Sequence, residues 1–322
     1  MHRSSTNPIA RAMSLLIPAM ALVPIMDAIA KSLSGGDLSP TTVAFGRFVA
    51  QTVWILLAFA LWRSVVRSEE AAPPSMRPKN VALNLTRGAL HGGGSMVFFV
   101  ALKYMPLADT IAVFFVEPML LLLLSAVFLK EFVGWPRRIA SLIAFGGALL
   151  VIQPSYELFG AVSLLPLLAA LLFAIYLLVT RSIGPNEHPL TMQLFSGIGA
   201  FIAIGLILIG GSFIDAPDYQ FTMPDTGRLF GLLAIIGVVS TVAHLMVTTA
   251  YTMAPASVLA PFNYFEIVTA TIFGYVFFDD FPGLLQWTGI AIIIGMGLFI
   301  FFRERSLERT ALKTADQLMP FG

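Results

Sequence analysis

The 322-residue chain contains no cysteine, which removes disulfides, zinc thiolate sites, iron–sulfur clusters and cysteine nucleophiles together. Charge is almost as scarce. Asp, Glu, Lys and Arg make up 11% of the residues, against about 25% in an ordinary soluble chain. A polar coat that thin cannot solvate the surface of one or two globular domains. Nineteen basic and eighteen acidic residues leave a net charge of +1, so no basic field exists to attract nucleic acid. HExxH, GxSxG and P-loop strings are missing, and the four histidines (His2, His91, His188, His244) are widely separated. No metal, cofactor or catalytic group is expected.

What the chain has is apolar length. Hydrophobic residues make up 57%, and mean hydropathy is +0.86. A membrane span needs roughly 20 mainly apolar residues, because the hydrocarbon core is about 30 Å thick and a helix rises about 1.5 Å per residue. Such runs lie near 12–34, 40–62, 82–104, 107–130, 135–153, 160–182, 189–211, 228–251, 256–278 and 283–302. They are continuous rather than alternating at period two, which argues against a β-barrel. The expected fold is an all-α integral membrane protein with ten transmembrane helices. Arg3, Arg11 and the tripeptide Ala28-Ile29-Ala30 give the first run a likeness to a signal peptide. Asp27 beside that tripeptide, and a run long enough to span, favour a retained helix.

Lysine and arginine set the expected orientation. With the N-terminus in the cytoplasm, fifteen of the nineteen basic residues fall on the inner side, among them Arg63, Arg67, Lys130, Arg137, Arg138 and Arg181. Lys31, Lys103 and Arg228 fall outside, and Arg47 lies within a span. This is the positive-inside pattern with both termini cytoplasmic: residues 1–11 at one end, 303–322 at the other. The stretch 63–81 reads as a mobile cytoplasmic loop by composition.

The chain also matches itself at an offset of 149 residues. Ala101 meets Ala250, Pro106 meets Pro255, Glu117 meets Glu266, Glu131 meets Asp280, and Gly134 meets Gly283. A glutamate at matching depth in two spans, with matching prolines before it and glycines after it, is hard to reach by accident. The expectation is two five-helix repeats, 12–153 and 160–302. Five is odd, so the second copy must lie inverted. The charges agree: Lys130, Arg137 and Arg138 correspond to Asp279, Gln286 and Trp287, while the basic 63–81 loop corresponds to one carrying Asp215, Asp218 and Asp225. Inverted repeats build carriers with a site near the midplane.

Glu117 and Glu266 each lie about ten residues into a span, some 15 Å deep at about 1.5 Å per residue. Insertion scales charge an acid there about 2.5–3.5 kcal/mol, so each must be protonated, paired or facing a wet cavity. They are candidates for contacting an amino or cationic group, or for exchanging a proton. A purely structural hydrogen bond is the competing reading. Pro118 and Pro261 deprive the carbonyls of Phe114 and Ser257 of helical partners and are candidate hinges, or simple bends. Asp27 and Arg47 fall about 9–10 Å below the outer surface if their helices are antiparallel neighbours. With Lys31 one turn above Asp27, they form a candidate gate or structural ion pair.

Span three carries a polar stripe, Asn84, Arg87, Gly88, His91 and Ser95, interrupted by Gly92, Gly93 and Gly94, which allow close approach or local unwinding. His244 aligns with Ser95. His91 and His244 are candidate ligands or helix–helix hydrogen-bonders. Phe114 and Tyr264 are candidate stacking walls around the glutamates, with Asn263 as a polar handle.

The string ALKYMPLADTIAVFFVEPMLLLLLSAVFLKEFVGWPRR from Ala101 to Arg138, with its weaker echo from Ala250, resembles the drug/metabolite transporter superfamily, in its ten-span EamA-type branch. Pro106, Leu107, Ala108 and Asp109, then Pro118, then Glu131 occupy the places where that family carries its motif residues. The resemblance covers residues 12 to about 302. It implies a secondary carrier of a bacterial inner membrane, with a central cavity between the halves. The second copy departs from the pattern, with isoleucine at Ile267 where the first has Pro118. The expected function is transport of a small metabolite (an amino acid or derivative, or a vitamin-like amphipathic compound) by alternating access. The partners implied are that substrate and the lipid bilayer; proton coupling, and monomer against homodimer, stay open. A membrane-embedded enzyme acting on a lipid is the alternative, disfavoured by short loops and the missing polar cluster. A channel is disfavoured by the lack of charged rings.

Overall fold

A computed structural model describes residues 8–36, 38–65, 75–105, 107–152, 160–213, 216–278 and 283–318. Twelve α-helices occur among them: α1 (Pro8–Ser34), α2 (Pro40–Val65), α3 (Val81–Tyr104), α4 (Leu107–Phe114), α5 (Glu117–Phe128), α6 (Trp135–Ile152), α7 (Leu164–Ile183), α8 (Pro189–Gly211), α9 (Gly227–Met253), α10 (Ala256–Leu259), α11 (Phe265–Phe278) and α12 (Leu284–Leu318). No strand is found among the described residues. Pro106, Asp215, Asp279, Asp280 and residues 66–74 of the expected cytoplasmic loop lie outside them.

The helix ends follow their capping residues. Asn80 accepts the Leu83 N–H through its side chain, Thr226 accepts that of Leu229, and His188 Nδ1 accepts that of Leu190. Among the described residues, five helical stretches are long and apolar enough to cross a membrane: Pro8–Ser34, Pro40–Leu61, Gly160–Asn186, Pro189–Gly211 and Gly227–Met253. The outward face matches lipid rather than water, with Phe132, Leu284 and Phe213 more than four-fifths exposed. The chain is a multi-pass membrane protein.

The two expected spans 107–130 and 256–278 are broken rather than merely bent. The first stops at Phe114 and restarts at Glu117 as α5, with Pro118 as its second residue. The second is α10, a tight 3₁₀ turn Ala260–Tyr264 with Pro261 near its start, then α11. Proline is tolerated in a first turn, where its missing N–H has no intrahelical acceptor, and it excludes a regular helix before it. Different prolines therefore produce the same result. Glu117 and Glu266 each stand in the first turn of a new helix, where the helix dipole favours negative charge.

Gly92, Gly93 and Gly94 do not unwind α3, which is continuous from Val81 to Tyr104. They and Gly88 serve the other expected role. A Cβ on Gly88 would land on the Ser196 carbonyl and 2.9 Å from Gly199 Cα; one on Gly92 would sit 2.7 Å from Ala200 Cα. Backbone-to-backbone contact of this kind replaces the hydrophobic drive that lipid removes. Gly237, 149 residues after Gly88, meets Ala50 of α2 in the same manner. Thus α3 packs on α7 and α8, and α9 packs on α1 and α2, while α6 and α12 pack on each other.

Gly88→Ala should lower the melting temperature in detergent, by the equivalent of about 1–3 kcal/mol for an overpacked contact. Gly146→Ala in α6, where a Cβ meets nothing within 4 Å, should be neutral or stabilising. A thermal-unfolding comparison of the two variants checks the difference in sign.

Candidate functional site

The elements converge on a cavity of about 70 Å³, below the about 300–1,000 Å³ usual for small-molecule sites, so this conformation is contracted around it. Its polar lining is Asp27 from α1, Arg47 from α2, Ser95 from α3, Glu117 from α5, His244 from α9, Asn263 from the 3₁₀ turn and Glu266 from α11. Aromatic walls fill the rest, chiefly Phe98, Phe114, Phe115, Phe173 and Tyr176. Both broken helices therefore deliver their carboxyls to one enclosed space.

Glu117 is 3% exposed. Its Oε2 accepts from Asn263 Nδ2 at 3.1 Å, and Asn263 Oδ1 accepts from the Tyr251 hydroxyl at 3.4 Å. Its Oε1 is buried without a partner. Glu266, 6% exposed, lies within electrostatic reach of Asp27 and Glu117. Three acids thus share a space with aromatic and aliphatic walls. Such a site favours a cation with an apolar body, since an aromatic face also presents negative charge to it.

The expected Asp27–Lys31–Arg47 cluster is divided. Asp27 and Arg47 both border the cavity but do not come within ion-pair distance. Arg47 is fully buried, with Nη1 donating to Ser95 Oγ at 2.8 Å and Nη2 3.1 Å from His91 Nε2. Lys31 points elsewhere: its Nζ donates to the carbonyls of Leu102 (2.8 Å) and Met105 (3.0 Å) at the end of α3. Those carbonyls have no intrahelical donor, and a cation there also meets the negative end of the dipole. Sequence spacing places Lys31 one turn from Asp27, but it carries no information about which neighbouring helix ends beside it.

His91 and Tyr264 are fully buried behind the cavity wall rather than in it. His91 stacks on Tyr176, with ring centroids 4.4 Å apart, and sits 4.3 Å from His244. Tyr264 packs 5.8 Å from Phe115. Phe114 and Asn263 are in the lining as expected, and Pro118 and Pro261 are buried at the breaks.

Two polar positions of α7, Tyr176 and Thr180, escaped the sequence reading. Tyr176, in the apolar run of α7, borders the cavity and also accepts from Arg87 Nη2 at 3.1 Å. Arg87 is fully buried and spends its fork on neutral oxygens: Thr180 (2.6 Å), the Met192 carbonyl (2.8 Å) and Thr248 (2.7 Å) as well. It thereby ties α3 to α7, α8 and α9. Thr180 and Tyr176 stand one turn apart, a weak signal hidden among leucines.

Two further clusters close opposite ends of the α3–α7 pair, which is antiparallel because Arg87 meets Thr180 and Gly94 meets Leu172. At one end Lys103 and Tyr104 both donate to the Asp218 carboxylate, and Thr41 donates to the Asp218 carbonyl at 2.7 Å. At the other, Glu131 accepts from the backbone N–H groups of Ala256 (3.1 Å) and Ser257 (2.9 Å) and from Arg181 Nε (3.3 Å).

Apolar helices around a cavity, with broken helices at its wall, are an arrangement suited to a membrane transporter. The EamA-like transporter family profile matches residues 10–153 and again 160–303, and the chain belongs to that family. It resembles a riboflavin transporter of Brucella anthropi at 31% identity, over 74% of this chain and 82% of the relative. It resembles an S-adenosylmethionine uptake transporter of Rickettsia conorii at 28% identity, over 87% and 88%. A pseudopaline exporter of Pseudomonas aeruginosa is 27% identical over 84% of this chain and 88% of its own. A solved crystal structure at 18% identity superimposes with a TM-score of 0.70, covering 89% of this chain and 96% of its own, and shares the fold. The protein is a secondary transporter of small metabolites.

Arg87→Met should strand the acceptors on α7, α8 and α9 and cost upward of about 2 kcal/mol, since each buried unpaired polar group costs about 1–3 kcal/mol. Thermal unfolding of the purified variant measures the loss.

Proposed function

We propose that the chain is an alternating-access carrier built as two inverted five-helix repeats, and that its cargo is an amphipathic metabolite with a ring and a cationic group. One observation carries this: acids from the first turns of two broken helices meet in one cavity with aromatic walls. The duplication is supported by positions 149 residues apart that play matching parts. Glu117 and Glu266 line the cavity, as do Ser95 and His244, while Gly88 and Gly237 make the closest contacts to α8 and α2. Rocking of two packed bodies, each drawing helices from both repeats, would open the Asp218 cluster and the Glu131 cluster in turn, each made of a few polar contacts that can be exchanged for water. The names of the relatives, riboflavin and S-adenosylmethionine transporters, support a ring-bearing cargo; the three acids favour the cationic kind.

We place both termini in the cytoplasm of a bacterial inner membrane, with Ser75 on the same side and Met223 outside. The cysteine-free chain makes a direct check simple. Met223→Cys should react with a membrane-impermeant maleimide in intact cells, and Ser75→Cys only after lysis. The reverse pattern overturns the orientation.

The cargo reading is checked by thermal shift of the purified protein, since a ligand of the native state raises its melting point. S-adenosylmethionine, as a cationic ring compound, should stabilise it more than riboflavin. In vesicles, Glu117→Gln and Glu266→Gln should each abolish pH-driven accumulation and weaken exchange of a cationic cargo. Undiminished accumulation in both variants removes the assignment of proton exchange to these acids.

A further inference from the structure

We infer that the cavity holds a second pole, formed by Arg47 and His244, that receives a carboxylate, so that the cargo is dipolar. This rests on the reading of the cavity as a site for a cationic ring compound and adds the opposite end of the molecule.

The first observation is an unfinished donor set. Arg47 is fully buried, uses Nη1 on Ser95 and Nη2 on His91, and leaves Nε buried without a partner. His244 borders the cavity at 5% exposure, and neither of its ring nitrogens has a partner. A buried polar atom without a partner is costly, and such atoms in a native structure call for an explanation. A ligand group that supplies two acceptor oxygens would take the Arg47 Nε–H and one His244 N–H at once. A carboxylate is planar, has those oxygens and matches the fork of a guanidinium.

The second observation is the separation of charge among the helices. The acids come from α1, α5 and α11; Arg47, His91 and His244 come from α2, α3 and α9. Glu266 lies within electrostatic reach of Asp27 and Glu117, whereas His244 lies within reach of Arg47 and Arg87. Asp27 is also within electrostatic reach of Arg47, but outside ion-pair distance. One guanidinium suits a monoanion better than a phosphate dianion in so enclosed a place. Ser95 and His244 occupy matching positions 149 residues apart. Ser95 is already engaged by Arg47, and His244 is free to take the cargo.

The test compares matched probes that differ only in the carboxylate: phenylalanine against 2-phenylethylamine, and S-adenosylmethionine against its decarboxylated form. Dissociation constants are measured on the purified full chain in nanodiscs. The wild type should bind the carboxylate-bearing member at least tenfold more tightly in the pair it accepts. His244→Ala and Arg47→Lys should each reduce that ratio severalfold, with size-exclusion profiles reporting that the variants are folded. His244→Asn, which keeps a donor and an acceptor, should retain part of the ratio. Equal affinities within both pairs, or an unchanged ratio in His244→Ala, overturn the carboxylate pole and leave the cationic site standing. Binding of riboflavin with no binding of any of the four probes overturns both.

Discussion

A helix broken halfway across a hydrocarbon layer leaves backbone groups and charged side chains where water cannot reach them. The rest of the architecture answers to that constraint. The breaks before Glu117 and Glu266 are sheltered because α1, α3, α7 and α9 surround them, and those helices can approach closely only where their contact faces are glycine, alanine or serine. Gly88 and Gly92 against α8, and Gly237 against α2, are the points at which the bundle is drawn in far enough to cover the breaks.

Buried cations obey the same logic by two different routes. Arg87 is held by hydroxyls and a carbonyl, which spread its charge over neutral oxygens from three other helices. That arrangement is complete, and it belongs to the scaffold. Arg47 is not complete: two side-chain partners and one idle donor leave it facing a cavity. The contrast between a saturated and an unsaturated guanidinium, on different helices, separates a structural node from a proposed recognition group. Lys31 takes a third route, at the carbonyl end of α3, where the charge serves a helix terminus.

The two polar clusters at the ends of α3 and α7 are smaller than the packing between helices. Asp218 holds two side chains from α3, and Glu131 holds two backbone N–H groups and one arginine. Contacts of this size can be broken and remade at little cost where water reaches them, while glycine-mediated helix packing cannot. The contacts of Gly88 with α8 and Gly237 with α2 join the first repeat to the second, so in the proposed cycle each packed body draws helices from both repeats and the end clusters exchange.

Much of this was legible before any coordinates. Composition and run length determine a helical membrane protein, because hydrocarbon admits few other solutions for a continuous apolar chain. The expected depth of Glu117 and Glu266 and their proposed relation at 149 residues are counts along the chain, because both are one-dimensional properties. Which atoms meet is not one-dimensional. That Lys31 caps α3, that Arg47 turns to Ser95 and His91 instead of Asp27, and that Tyr176 serves both Arg87 and the cavity depend on which helices cross and at what register. Those choices are made by close packing between residues far apart in the chain, and only the tertiary structure holds them.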